Sequence, residues 1–290
     1  MAKDNSRSYS SRHINSFNQQ FAECSRPSGL KVKRMQKFAP LATARAGISP
    51  IKDMPLTKSI MPLPLIDDEL TLLNELVPLM QRDIVELGCG NAQTARTLLQ
   101  RHPGCRVTGL EVDQRQHAKN LDSPQPGLEF IAAGAEAIPF PDTSFDLALM
   151  LKSLHHVPVP AMAGALDEIA RVLRPGGYLY VSEPVFAGEM NEVVRLFNDE
   201  ETVRAAAQAA LDTAVSSDVW EQAAERQFDM TVRFRDFADF EQRLMRPTFA
   251  DHHLDEAKVA EVAAVFARYS GPEGAVFRRP MHVRLLRRVT

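Results

Sequence analysis

The chain has 290 residues, 44% hydrophobic and 24% charged, with a net charge of −3, which suits one large globular domain with appendages. No apolar run reaches the roughly 18 residues of a membrane-spanning helix. Three cysteines, Cys24, Cys89 and Cys105, lack metal-ligand spacing; with no apolar signal segment, their odd number is expected of a cytoplasmic protein.

Charge is uneven along the chain. Residues 1–60 hold eleven Lys/Arg and three acids, a surplus of +8, so the remaining residues carry −11. The opening is rich in Ser, Asn, Arg and Gln and reads as a basic, largely irregular extension to a domain over 61–290. It reads as a solvated tail or an over-long start with Met35, Met54 or Met61 as initiator, as an electrostatic arm for RNA or another anionic surface, or as an organelle transit peptide.

Apolar spacing predicts a helix over 63–80, opened by Asp67-Asp68 and ended near Val77 by Pro78. A strand follows at 83–87. It runs into Glu86-Leu87-Gly88-Cys89-Gly90 and then a helix over 92–101, stopped by His102-Pro103-Gly104. Gly-x-Gly between strand and helix lets a ligand approach the backbone and the unpaired helix amides closely. The third glycine of a dinucleotide site is replaced by Gln93, and an acid beside the turn would repel a pyrophosphate but attract an amino group. Strand two, 106–112, carries Glu111 about 20 residues after the glycines, the spacing at which an acid reaches ribose hydroxyls.

Strand three is expected at 128–132, strand four at 145–151, a helix over 161–173, and strand five at 178–181. Residues 188–225 read as helical and too long for a simple connection. A sixth strand is expected at 230–234, helices at 237–245 and 254–269, and a β segment at 277–286. Strands alternating with helices mean a parallel α/β sheet with helices on both faces and ligands at the carboxyl ends of the strands.

Four segments together resemble the class I S-adenosylmethionine (SAM)-dependent methyltransferases of the small-molecule type, similar to the quinone-biosynthesis C-methyltransferases. They are Val85-Glu86-Leu87-Gly88-Cys89-Gly90, Thr108-Gly109-Leu110-Glu111, the stretch Glu136-Ala137-Ile138-Pro139-Phe140-Pro141-Asp142 with its continuation to Asp146, and Arg174-Pro175-Gly176-Gly177. The resemblance implies a Rossmann-like, seven-stranded, mostly parallel sheet whose last strand is antiparallel between strands five and six. It makes 188–225 a helical lid insertion over the acceptor. It implies SAM as cofactor, S-adenosylhomocysteine as product, and methyl transfer to O, N or C of a small molecule. Methyl transfer to RNA through the basic arm, and a SAM-binding module without catalysis, are the alternatives.

On the same resemblance, Glu86 holds the methionine amino group, Gly88 and Gly90 admit the cofactor with Cys89 filling space between them, and Glu111 with Val112 meets the ribose. The acid that would accept from the adenine amino group is replaced by Gly134, leaving the Ala135 amide and Glu136 to serve. Leu151 and the residues after it line the methyl end. Lys152 there reads either as the partner of a substrate carboxylate or phosphate or as a snorkelling lysine. His155 and His156 read either as general bases or as part of a helix cap, and Glu183 as a residue that orients the acceptor. His252-His253 beside Asp251 lack a third ligand, so no metal site is expected.

Overall fold

The computed structural model describes residues 63–247 and 252–289. The basic extension and Asp251 therefore lie outside the described residues. Among the described residues no helix is long and apolar enough to cross a membrane.

The chain enters through α1 (Glu69–Leu76). Asp68 caps it by accepting from the Leu70 amide at 3.2 Å, and it ends at Val77, where Pro78 forbids a further helical bond. The next elements alternate: β1 (Asp83–Leu87), α2 (Gln93–Arg101), β2 (Arg106–Leu110), α3 (Gln114–Leu121), β3 (Leu128–Ile131), β4 (Phe145–Leu151), α4 (Met162–Val172) and β5 (Leu173–Pro184). Then come α5 (Gly188–Val194), α6 (Glu201–Val215), β6 (Trp220–Phe234), α7 (Phe237–Phe240) with a π turn over Glu241–Met245, α8 (Glu256–Phe266), β7 (Ser270–Gly271) and β8 (Gly274–Arg288).

The sheet order is β3-β2-β1-β4-β5-β8-β6, with β8 antiparallel to both its neighbours. This is the expected architecture, with one addition: the two-residue β7 pairs with the start of β8, making eight strands. The inserted segment differs from the expected 188–225. Its helices end at Val215, and residues from Trp220 onward already form β6, paired along β8 from Arg288 to Ala275.

Period-two alternation assigns the core. On β4, Leu147 and Leu149 pack with Ile84 of β1 and the α1 and α2 side chains, while Ala148 and Met150 pack with Val85 of β1 and with α4 and α6. Both sheet faces are thus covered by helices, which is why β4 reads as an unbroken apolar run. A third cluster joins α5, the α7 region and α8 over Phe277 at the start of β8. It forms a layer beyond the sheet's carboxyl edge.

Candidate active site

The turn after β1 is built by hydrogen bonds to the end of β2. The amides of Gly88 and Cys89 both donate to the Leu110 carbonyl, at 2.9 and 3.0 Å. Gly88 has φ +69°, and a Cβ there would meet Ser153 Cβ at 2.9 Å. Only glycine fits, because the backbone is left-handed and the loop after β4 crosses directly over it. Ser153 ties the two loops by donating to the Leu87 carbonyl at 2.7 Å. Glu111 is fixed from both sides, accepting from the Gly90 and Asp113 amides at 2.8 Å each. Asp113 caps α3 through the Arg115 amide at 2.9 Å. Each Glu111 oxygen keeps a lone pair for a further donor.

These loops wall a cavity of about 740 Å³, lined among others by Gly88, Gly90, Glu111, Val112, Ala135 and Glu136. Val112 is 69% exposed there, an apolar surface at the mouth. A Cβ added to Gly134 would fall onto the Glu136 carboxylate. Glu136 therefore occupies the space that a side chain at 134 would use.

Three expected cofactor contacts lie elsewhere. Glu86 is buried behind the glycine turn and accepts from the Ala95 amide in the first turn of α2. It serves a helix whose N-cap position, Ala92, offers no side-chain bond. Its Oε2 has no hydrogen-bond partner among the described residues. Burial pushes its carboxyl up to about 8, so it is mostly protonated at neutral pH. Cys89 is buried against Gly109 and Asn120. Burial and the nearby Glu86 carboxyl raise its thiol far above the ordinary range, the opposite of an activated nucleophile. Leu151 points away from the large cavity and lines a separate cleft with Glu69 and Tyr180.

After β4 the chain turns sharply. Lys152 is left-handed, with φ +61°, its amide held by the Ser182 carbonyl at 2.7 Å. Its ammonium pairs with Glu69 on α1 at 3.3 Å. Its side chain is about a third exposed and lines both cavities. A 3-10 turn over Leu154–His156 follows. Glu183 holds it from β5, accepting from the Leu154 amide at 2.9 Å and pairing closely with His155 Nδ1. Both Glu183 oxygens are spent on this turn and the residue is buried. The expectation that it orients the acceptor gives way to a positioning role for the turn.

Lys152, His156, Arg243 and Pro247 separate the large cavity from a smaller lobe of about 160 Å³. The lobe is enclosed by His155, α5 residues such as Met190 and Asn191, Glu200 and Arg204 of the α6 start, and Arg279 of β8. His156 is exposed to the cavities; partial desolvation by the cleft walls and the neighbouring His155 ring lower its imidazole to about 4, so it is neutral at physiological pH. His155, His156 and Glu200 place ligand-type atoms within 4.8 Å of one another. Arg204 donates to Glu200 at 2.5 Å, however, and Asn198 at 2.8 Å. A guanidinium in that place disfavours a metal cation. Asn91, Gln116, Met150, Arg243, Pro247 and Arg279 are cavity residues that sequence reasoning did not single out. For Arg279 the sign was legible. It sits at period two between Phe277 and Met281, both fully buried, a half-buried position on the inner face of β8 occupied by a cation.

Fold, glycine turn and the acid at the end of β2 resemble those of class I SAM-dependent methyltransferases. Residues 85–181 match the family model described as a methyltransferase domain. The chain is 36% identical over 114 residues to phthiotriol/phenolphthiotriol dimycocerosates methyltransferase 1 of Mycobacterium ulcerans (strain Agy99), a match spanning 37% of this chain and 39% of the relative. It is 36% identical over 107 residues to the fatty-acid O-methyltransferase of Mycolicibacterium smegmatis, spanning 34% and 36%. The similarity thus covers about two-fifths of the length of these relatives. Among solved structures, the YcgJ protein of Bacillus subtilis superimposes with a TM-score of 0.54 at 14% identity, covering 76% of this chain and 98% of that one. That likeness carries the fold alone.

Proposed function

We propose that the protein transfers a methyl group from SAM to an O, N or C atom of a small molecule, in the cytoplasm. One observation carries this reading: a large cavity at the strand ends, framed by a glycine turn and a doubly anchored Glu111, adjoins a smaller second lobe at His156. The residues fit the cofactor. Gly88 and Gly90 leave room for its amino-acid end, Glu111 offers free lone pairs to ribose hydroxyls, and Val112 offers an apolar face to a purine. Glu136 stands where the usual adenine acid would project. Bound SAM supplies an electrophilic sulfonium methyl. The chain positions the acceptor in the second lobe, excludes water with the layer built from α5, α6 and the π turn, and presents a neutral imidazole, His156, at the boundary to accept a proton. The free, buried thiols of Cys89 and Cys105 support a reducing compartment. Lid and extension are proposed as domain units on the same reading.

The names of the relatives support a small-molecule acceptor. The RNA alternative draws on residues outside the described ones, and no feature of the lobe favours it. Calorimetry with SAM and S-adenosylhomocysteine on the wild type and on Glu111→Ala tests the reading. Binding that Glu111→Ala removes supports it; a wild type that binds neither compound refutes it.

A further inference from the structure

Four cations border the second lobe, and three of them have partners. Lys152 pairs with Glu69. Arg204 pairs with Glu200 at 2.5 Å and donates to Asn191 at 3.2 Å. Arg243 pairs with Asp239 at 3.3 Å and lies over the Phe234 ring at 4.6 Å. Arg279 is the exception: among the described residues its guanidinium has no hydrogen-bond and no ion-pair partner. Its neighbour Arg278, on the opposite face of β8, faces solvent and lies 3.9 Å from Asp229. Strand alternation turns 279 inward with Phe277 and Met281. Burial and the neighbouring Arg204 push the Arg279 guanidinium down to about 10, still charged at neutral pH. Arg279 is half-buried on the inner face of β8, and a cation drawn partly out of water without a direct partner is ordinarily matched by an anion. Arg279 lines the lobe, whose other walls include the apolar Val185, Met190, Val194 and Phe197.

We infer that Arg279 is the anchor for a carboxylate on the methyl acceptor, which is therefore a small, largely apolar organic acid. The inference rests on the methyltransferase reading for the identity of the lobe as the acceptor site. A planar guanidinium fork matches a carboxylate through two parallel bonds. Arg279 does not line the large cavity, so the carboxylate is an anchoring group, and the atom to be methylated lies nearer His156. A single guanidinium fork without a direct partner matches the two oxygens of a carboxylate.

The full chain, saturated with S-adenosylhomocysteine, is titrated by calorimetry with benzoate, 4-hydroxybenzoate, hexanoate and octanoate, each beside its primary amide, and with phenyl phosphate. The expected result is at least one acid binding about tenfold or more tighter than its amide, as loss of a charge-assisted pair implies. In Arg279→Met that preference disappears. In Arg279→Lys, the second variant should the first fail to fold, it is weakened but present. Amides binding as well as their acids in every pair overturn the proposal, as does a preference that survives in Arg279→Met. Phenyl phosphate outbinding benzoate overturns the carboxylate in favour of a phosphate. Failure of the parent reading looks different. The wild type then does not bind S-adenosylhomocysteine, and the acid–amide comparison on the unliganded chain still decides whether Arg279 selects carboxylates.

Discussion

Glu86→Gln should make the protein less sensitive to alkaline pH. Burial raises the Glu86 carboxyl from 4.5 to about 8, whereas the unfolded chain leaves it near its ordinary value. Between these two pH values the folded state binds a proton that the unfolded state has released. Its contribution to stability is therefore fully present below about 4.5 and is lost as pH rises through about 8. The shift spans roughly 3.5 units at about 1.4 kcal/mol each, an upper bound of about 5 kcal/mol. Local relaxation and water entry reduce this to roughly 2–3 kcal/mol. A glutamine at 86 can still accept from the Ala95 amide, and it cannot ionise. Thermal unfolding of both proteins at several pH values between 5 and 9 isolates the effect, because every other titrating group cancels in the difference. The gain of the variant over the wild type should grow with pH, reaching roughly 4–12 °C in melting temperature at the alkaline end for a domain of this size. A difference that does not change with pH, or one that grows in favour of the wild type, would refute the assignment of Glu86 as a buried carboxyl serving α2.

Gly88→Ala combines a left-handed backbone with the contact to Ser153, and should cost about 2 kcal/mol or more of stability; denaturant titration and S-adenosylhomocysteine calorimetry should both register it. Glu136→Ala should weaken S-adenosylhomocysteine binding by about tenfold through loss of an acceptor for the adenine amino group. The loss should be much smaller for the inosine analogue, which lacks that group, and equal losses for the two ligands would contradict the role given to Glu136. His155→Ala leaves the buried Glu183 carboxylate without its close partner and should destabilise by about 3 kcal/mol or more, seen as a fall in the urea midpoint; Glu183→Gln should cost less, since the imidazole retains Glu200 at 3.8 Å.

Most of the central sheet was legible because buried parallel strands leave a simple trace, the apolar run of β4 above all. The first residues of β6 were not. Glu221, Gln222, Glu225 and Arg226 are polar, as an outer strand is when one side meets water, and their β conformation comes from pairing with β8. Local preference there pointed to helix and tertiary pairing overrode it. The large cavity's glycine turn and Glu111 could be placed together because they are close in sequence and their spacing is fixed by a strand-turn-helix unit. Glu86 was misplaced for a related reason. Its position beside the glycines is the same whether it faces the ligand or the amides of α2, and only the packing of β1 decides. The Lys152 partner, Glu69, lies 83 residues away, and no periodicity could have revealed it.

The two halves of the site have separate structural origins, and their junction shows how they are kept in register. The large cavity is made by the loops after β1, β2, β3 and β4. The smaller lobe is made mainly by the later layer, α5, α6, the π turn and β8. Lys152 belongs to both walls and adopts a left-handed conformation that costs a non-glycine residue about 1 kcal/mol. It is held there by its amide bond to Ser182 on β5 and its ammonium bond to Glu69 on α1. A strained residue clamped from two elements fixes where one cavity ends and the other begins. The later layer can then change its lining, as it has by placing Arg279 on an inward face, without disturbing the glycine turn or Glu111. Such an arrangement lets a common fold take different ligands in its added layer, and the family-model match accordingly ends at residue 181, within β5, while the chain goes on to build the second lobe.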